Sequence, residues 1–395
     1  MTESSDTSAI DTQGDRRSWP SRFAVLLVCL TWPMIWVGGL VTTYDAGMSV
    51  PDWPGTYGYN LLLYPMSTWL LGPFDLFIEH GHRLLGATLG LVAIGFLVTA
   101  CYSESRTWVK WFAVAVLLAV IGQGVLGGLR VTQSARTLAM IHGCTATAFF
   151  GLCVVAALVT GRNWTVTSVL GAAFGTPRVG ERSRRHAGYR SFPVGQTDRL
   201  VSQRNSVAKQ LGPSTAWPLV MMAMAYMQLV LGAQLRHVSP MAGPTGFAHI
   251  ASTHVTLAFV LWFITAIAYW RIRRFGDQTL SRPSGWLIVL CGLQISLGIG
   301  TWLVNYGYPR LLQSMPGSAG YLLRAKDYVD AGIVTSHVAV GSLIFAVAVW
   351  LWVRTARRRY VLGRKEIETV HQPVVAISQP RKSSITLEPI AEPVA

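Results

Sequence analysis

The chain has 395 residues, of which 51% are hydrophobic and only 13% charged, and its formal net charge is +15. Apolar runs recur along the whole length, a composition that excludes an ordinary soluble globular protein and points to a polytopic membrane protein. The positive charge calls for no nucleic acid, because membrane topology and anionic lipid head groups account for it.

A bilayer span needs roughly 20 mostly apolar residues. Eight segments qualify: 22–43, 78–100, 110–129, 139–160, 216–236, 249–270, 284–304 and 332–353. Residues 1–21 contain Glu3, Asp6, Asp11 and Asp15, which is unlike an Arg-rich transit peptide, and no cleavage-site pattern follows, so the first span is expected to be retained. The first unit, 22–160, holds spans one to four, with Gly38-Gly39 in the first, Glu79, His82 and Arg83 opening the second, Gln123 to Arg130 ending the third and His142 opening the fourth. Residues 161–215 carry nine basic residues against two acidic ones, are rich in Gly, Ser and Pro, and read as a cytoplasmic linker in which His186 is solvated. The second unit, 216–353, holds spans five to eight, with His254 opening the sixth and His337 the eighth. The segment 354–395 begins with Arg354, Arg357, Arg358 and Arg359, and reads as a basic, disordered tail at the membrane surface.

Of the 33 Lys and Arg residues, 26 fall in the terminal segments and in the loops around 101–110, 161–215 and 271–283. The positive-inside rule therefore places both termini in the cytoplasm and all four histidines toward the outer face. Five cysteines with no C-x-x-C spacing argue against a disulfide framework or a zinc site, and read as packing residues.

The chain also resembles itself. Gln123-Gly-Val-Leu-Gly127 matches Gln294-Ile-Ser-Leu-Gly298, each about 40 residues after its upstream histidine. Gln228-Leu-Val-Leu-Gly232 matches Ile35-Trp-Val-Gly-Gly39 only through the glycine. The expected fold is all-α, with eight transmembrane helices forming two tandem four-helix bundles related by an internal repeat, the halves turned about an axis along the membrane normal.

An imidazole within a span is costly and faces the bundle interior. His82, His142, His254 and His337 lie at matched depth, two in each half. Two imidazoles on facing helices can hold one planar metal macrocycle, and haem fits better than zinc, which wants three or four ligands. The other reading, in which each histidine hydrogen-bonds across helices, stays open at this point. His80 stands about 200° from His82 around the helix and His249 about 140° from His254, so only one of each pair can face a site. His237, in an outer loop, can approach a haem propionate or face solvent. Glu79 shares a helix face with His82 and is a candidate proton acceptor or a head-group charge, with Ala251 at the matching place in the second half. Arg83 and Arg130 suit haem propionates, or else snorkel to the interface.

These residues together resemble the haem A synthase family. Ile78-Glu-His-Gly-His-Arg83 is similar to its Glu-x-x-His-Arg signature, and Gly38-Gly39, Thr42 and Pro51-Asp52-Trp53-Pro54 resemble its first span and outer loop. The Gln-x-x-Leu-Gly boxes and the later histidines also match, so the resemblance covers roughly residues 20–355. It implies an enzyme that oxidises a methyl group of haem O to the formyl group of haem A for terminal oxidases. His82 and His142 would flank the haem O substrate, His254 and His337 would ligate a resident haem b, and Glu79 would be the catalytic carboxylate. A bacterial plasma membrane, an electron acceptor, and partners that supply haem O or accept haem A are further implications. Two departures stand out. Many members carry a cysteine pair in the first outer loop, and Met48 to Tyr57 contains none. The interval from Gln294 to His337 is 43 residues, against 19 from Gln123 to His142. The alternative left by the residues is a membrane diheme b electron-transfer protein. A transporter ranks below it, for lack of charged residues at mid-bilayer.

Overall fold

The computed structural model describes residues 19–164, 215–238, 243–274, 278–309 and 327–370. It is all-α, with no strand among the described residues. Among the described residues, eight helices are long and apolar enough to cross a membrane: α1 Trp19–Thr43, α2 Phe74–Ser103, α3 Thr107–Thr132, α4 Arg136–Thr160, α5 Ala216–Arg236, α6 Gly243–Arg274, α7 Gln278–Tyr306 and α8 Tyr328–Val370. Helices satisfy their own backbone polar groups, which hydrocarbon does not. The chain is accordingly a multi-pass membrane protein, and its outward face is apolar: Trp111, Leu118, Phe263, Trp286 and Val289 are all exposed.

Helices α1 to α4 close a ring in which each touches the next and α4 returns to α1. Helices α5 to α8 close a second ring in the same way. The rings meet where α8 packs on α1 and α4, and these seams bury most. Half of the apolar window of α4 (50%) and more of α8 (56%) lies inside the protein, against 11% for α7. Small residues and indole donors make the seam: Gly39 lies against Thr335, Gly151 against Phe345, Trp32 Nε1 donates to the Ala339 carbonyl at 3.1 Å, and Trp36 Nε1 to Thr335 Oγ1 at 3.1 Å. At the end of the bundle that carries the histidines, Arg236 of α5 donates to the Gly39 carbonyl (2.8 Å) and to Thr43 Oγ1 (2.6 Å) in the last turn of α1.

Two expectations need adjustment. The tail does not become irregular at 354, because α8 runs on to Val370, a helix about 64 Å long, roughly twice a hydrocarbon core. Apolar and cation–π contacts carry it: Thr355, Val361 and Leu362 are buried, and the Arg357 guanidinium sits 4.9 Å from the Trp164 ring. Nor are the cysteines uniformly packing residues. All five are free, with Cys153 and Cys291 buried and Cys29 and Cys101 exposed. Most of the basic linker with His186, the outer stretch 310–326, and the tail beyond Val370 lie outside the described residues.

Candidate functional site

Each of the four histidines is seated against a glycine of the preceding span. A Cβ added to Gly38, Gly127, Gly232 or Gly298 would stand 3.0, 3.3, 3.3 or 3.1 Å from Cε1 of His82, His142, His254 or His337 respectively. Carbons in contact settle at about 3.5–4.0 Å. These positions therefore need glycine, and the rings pack directly on a neighbouring backbone. In the first span the facing glycine is Gly38 rather than Gly39, which turns instead to Thr335 of α8.

A missing side chain also uncovers the helix carbonyl one turn earlier. His337 Nδ1–H donates to the Gln294 carbonyl at 3.2 Å, which leaves Nε2 as the acceptor, and the Gln294 amide approaches Nε2 weakly at 3.5 Å. The Gln123 and Gln228 carbonyls lie beside the His142 and His254 rings in the same sense, short of hydrogen-bond geometry.

Several buried polar atoms here have no hydrogen-bond partner among the described residues. They include Nδ1 of His82, His142 and His254 and Oε1 of Gln123, Gln228 and Gln294. Such orphans cost about 1–3 kcal/mol each and call for an explanation. Nε2 of His82, His142 and His254 makes no hydrogen bond among the described residues, yet is absent from that buried set, so it opens on free space. The His254 and His337 ring centroids are 6.3 Å apart. An iron bonded to an imidazole nitrogen on each face at about 2.0 Å brings the centroids to roughly 6 Å. No group of three or more His, Cys, Asp or Glu that could hold a bare metal ion occurs among the described residues. Paired imidazoles without further donors fit a haem, which brings its own four equatorial nitrogens.

The outer loop between α1 and α2 is drawn onto the first pair by side chains of α2. Arg83 donates to the carbonyls of Val50 (2.7 Å), Asp52 (2.6 Å) and Gly55 (2.8 Å), and pairs with Glu79 Oε1 at 2.7 Å. Glu79 is 3% exposed, and its Oε2 accepts from the Val50 N–H at 3.3 Å, so it is no head-group charge. His80 takes the opposite side, with Nδ1 3.0 Å from Thr56 Oγ1. The Trp53 indole occupies the space above Gly128, next to the glycine that faces His142. Asp52 accepts from Tyr57 N (2.8 Å) and Gly58 N (2.9 Å); burial pushes its carboxyl up, but these donors and Arg83 hold it below its ordinary value.

Arg83 is thus committed to the protein, whereas the Arg130 guanidinium lies over Gly47, within Coulombic reach of Glu79, His82 and His142. No acceptor for Arg130 occurs among the described residues. His249 is exposed while His254 faces inward. His237 lines an open cavity of about 230 Å³ with Arg136 and Gln234. Sequence reasoning missed Gly47, Gly128 and the buried polar atoms Thr301 Oγ1 and Trp302 Nε1 near the C-terminal end of α7, which have no hydrogen-bond partner among the described residues and for which no local signal exists.

A family model described as cytochrome oxidase assembly protein matches residues 21–184. The chain is 29% identical over 310 residues to a haem A synthase of Symbiobacterium thermophilum, covering 74% of this chain and 86% of that protein. It is 28% identical over 137 residues to a haem A synthase of Hyphomonas neptunium, covering 28% of this chain and 36% of that one.

Proposed function

We propose that the chain, which is similar to haem A synthases over most of its length, oxidises a methyl group of haem O to the formyl group of haem A. The observation that carries this reading is the recurrence of one socket, an imidazole seated on glycine, at four places in two pairs. His82 and His142 hold the haem O substrate between α2 and α4, and His254 and His337 hold a resident haem b between α6 and α8. The 6.3 Å separation of the second pair supports its assignment. The bound haem b supplies one-electron redox chemistry to the second ring.

Oxidation of a methyl group releases protons as well as electrons, and a carboxylate beside the substrate takes them. Glu79 lies one helical turn from His82 on the same face, and its pairing with Arg83 aims it. The loop clasped by Arg83 and topped by Trp53 limits water at the first pair. Arg130 receives a propionate, a role that Arg83 cannot fill while it binds three carbonyls. The setting is a bacterial plasma membrane with both termini cytoplasmic; haem O synthase supplies the substrate, terminal oxidase assembly factors take the product, and an electron acceptor completes the cycle.

The test is to express the chain with a source of haem O in a host that makes no haem A, then extract and resolve the haems. Haem A or its alcohol intermediate supports the reading, and Glu79→Gln is expected to keep haem b while losing that product. The likeness of the two pairs favours one other reading, a diheme electron-transfer protein. Two haem b groups per chain with haem O unaltered would establish it instead.

A further inference from the structure

The helices that carry the socket glycines differ one turn further on. Residues three and four positions beyond a glycine share its helix face. Beyond Gly38 these are Val41 and Thr42, and beyond Gly298 they are Thr301 and Trp302, but beyond Gly127 stands Arg130 and beyond Gly232 stands Arg236. Each ring thus has one guanidinium a turn away from one of its sockets. Arg236 follows its glycine by four positions and Arg130 by three, so aligning the Gln123 and Gln228 boxes does not pair them.

The two guanidiniums have similar surroundings. Arg130 lies within Coulombic reach of His82 and His142, and Arg236 of His337, each near the histidines of its own ring. At the seam they also reach each other and His237. Of the acids near them, Glu79 is already paired with Arg83, and Asp45 makes no hydrogen bond to either guanidinium among the described residues. Arg236 spends only Nη2 on the end of α1. Its Nε and Nη1 make no hydrogen bond among the described residues, yet they are absent from the set of buried orphan atoms, so both open on free space.

We propose that Arg236 holds a propionate of the haem in the second ring, as Arg130 does in the first, so that both haems turn their carboxylate edges toward the seam. This rests on the reading of His254 and His337 as a haem site. A carboxylate on a guanidinium makes charge-assisted hydrogen bonds, roughly twice as strong as neutral ones. Two like charges in a partly buried place, with no acid bonded to either, repel until such anions arrive. Axial histidines fix the iron but leave the macrocycle free to turn about the line joining the two nitrogens, and a cation on one side selects the orientation. Arg236 therefore has two tasks on different nitrogens: Nη2 ties α5 to α1, and the others receive the carboxylate.

The test uses full-length protein carrying His82→Ala, so that only the second socket contributes, stripped of haem and titrated with ferric haem B or with its dimethyl ester, which lacks both carboxylates. Haem B is expected to bind about tenfold or more tighter than the ester. Arg236→Gln is expected to bring that ratio close to one by weakening haem B alone. Thr43→Val, which removes one α1 contact of Nη2 and leaves the charge in place, is expected to keep the ratio. Equal binding of haem B and the ester by the His82→Ala protein would overturn the proposal without any change at Arg236, as would an Arg236→Gln protein with the parent ratio. If the His82→Ala protein takes up no haem B, the second pair is not a haem site, and that reading falls together with the proposal; the conversion of haem O is judged separately, by haem extraction.

Discussion

Gly298→Ala tests the socket geometry where it is best defined. The new Cβ would stand 3.1 Å from His337 Cε1, so the ring must retreat by roughly half an ångström to reach ordinary contact. Retreat stretches the Nδ1–H bond to the Gln294 carbonyl from 3.2 Å toward about 3.6 Å, beyond hydrogen-bonding range. Overpacking costs about 1–3 kcal/mol, and replacing glycine in a helix returns about 1 kcal/mol, so the fold loses little. Haem binding has no such offset, since a lost partner behind the ligand costs about 10–100-fold in affinity. The expected result is a purified variant with near-normal thermal stability, a sharply lower haem-to-protein ratio and a weaker haem B titration. Gly292→Ala, where a Cβ meets nothing within 4 Å, serves as the control. A Gly298→Ala protein with full haem content and an unchanged absorption spectrum would refute the reasoning.

Two further outcomes are expected. Arg83→Lys keeps the charge, but one ammonium cannot serve three carbonyls and Glu79 together; the outer loop should become sensitive to proteolysis near 50–58 and haem A formation should fall at least about tenfold, while a loop as resistant as wild type would argue against the clasp. Burial, with Arg236, Arg130 and Arg136 nearby, pushes His237 from 6.5 down to about 4. Because the unfolded chain takes up that proton first, its contribution to stability is complete above pH 6.5 and is lost between pH 6.5 and about 4. His237→Gln should flatten the pH dependence of thermal inactivation across that window, and identical slopes would remove His237 from the account.

What the sequence made legible follows from what a bilayer demands. Span count and all-α class come from apolar length alone, and the four histidines stand out because imidazole is rare in such segments. As their angular separation requires, His80 and His82 meet different neighbours, His80 turning to Thr56 and His82 packing on Gly38. The glycines of the boxes were visible as a repeat, but their purpose was not, because it depends on which residue of another helix arrives opposite. That also explains the slip in the first span, where alignment chose Gly39 and the packing uses Gly38. Sequence leaves Arg83 between a haem propionate and the membrane interface, because its loop partners are backbone carbonyls, which no side-chain pattern reveals.

The reach of Arg236 across the seam has a consequence for biogenesis. During insertion α1 enters the membrane first, and the last turn of that helix, where Thr43 Oγ1 already donates to the Gly39 carbonyl, gains the Arg236 guanidinium from a helix 197 residues further along the chain. The first ring is therefore finished only when the first helix of the second ring has docked, so the two rings mature as one unit. Severing the chain in the basic linker should be tolerated if both pieces are made together, whereas the first piece made alone would lack the guanidinium that closes its outer rim.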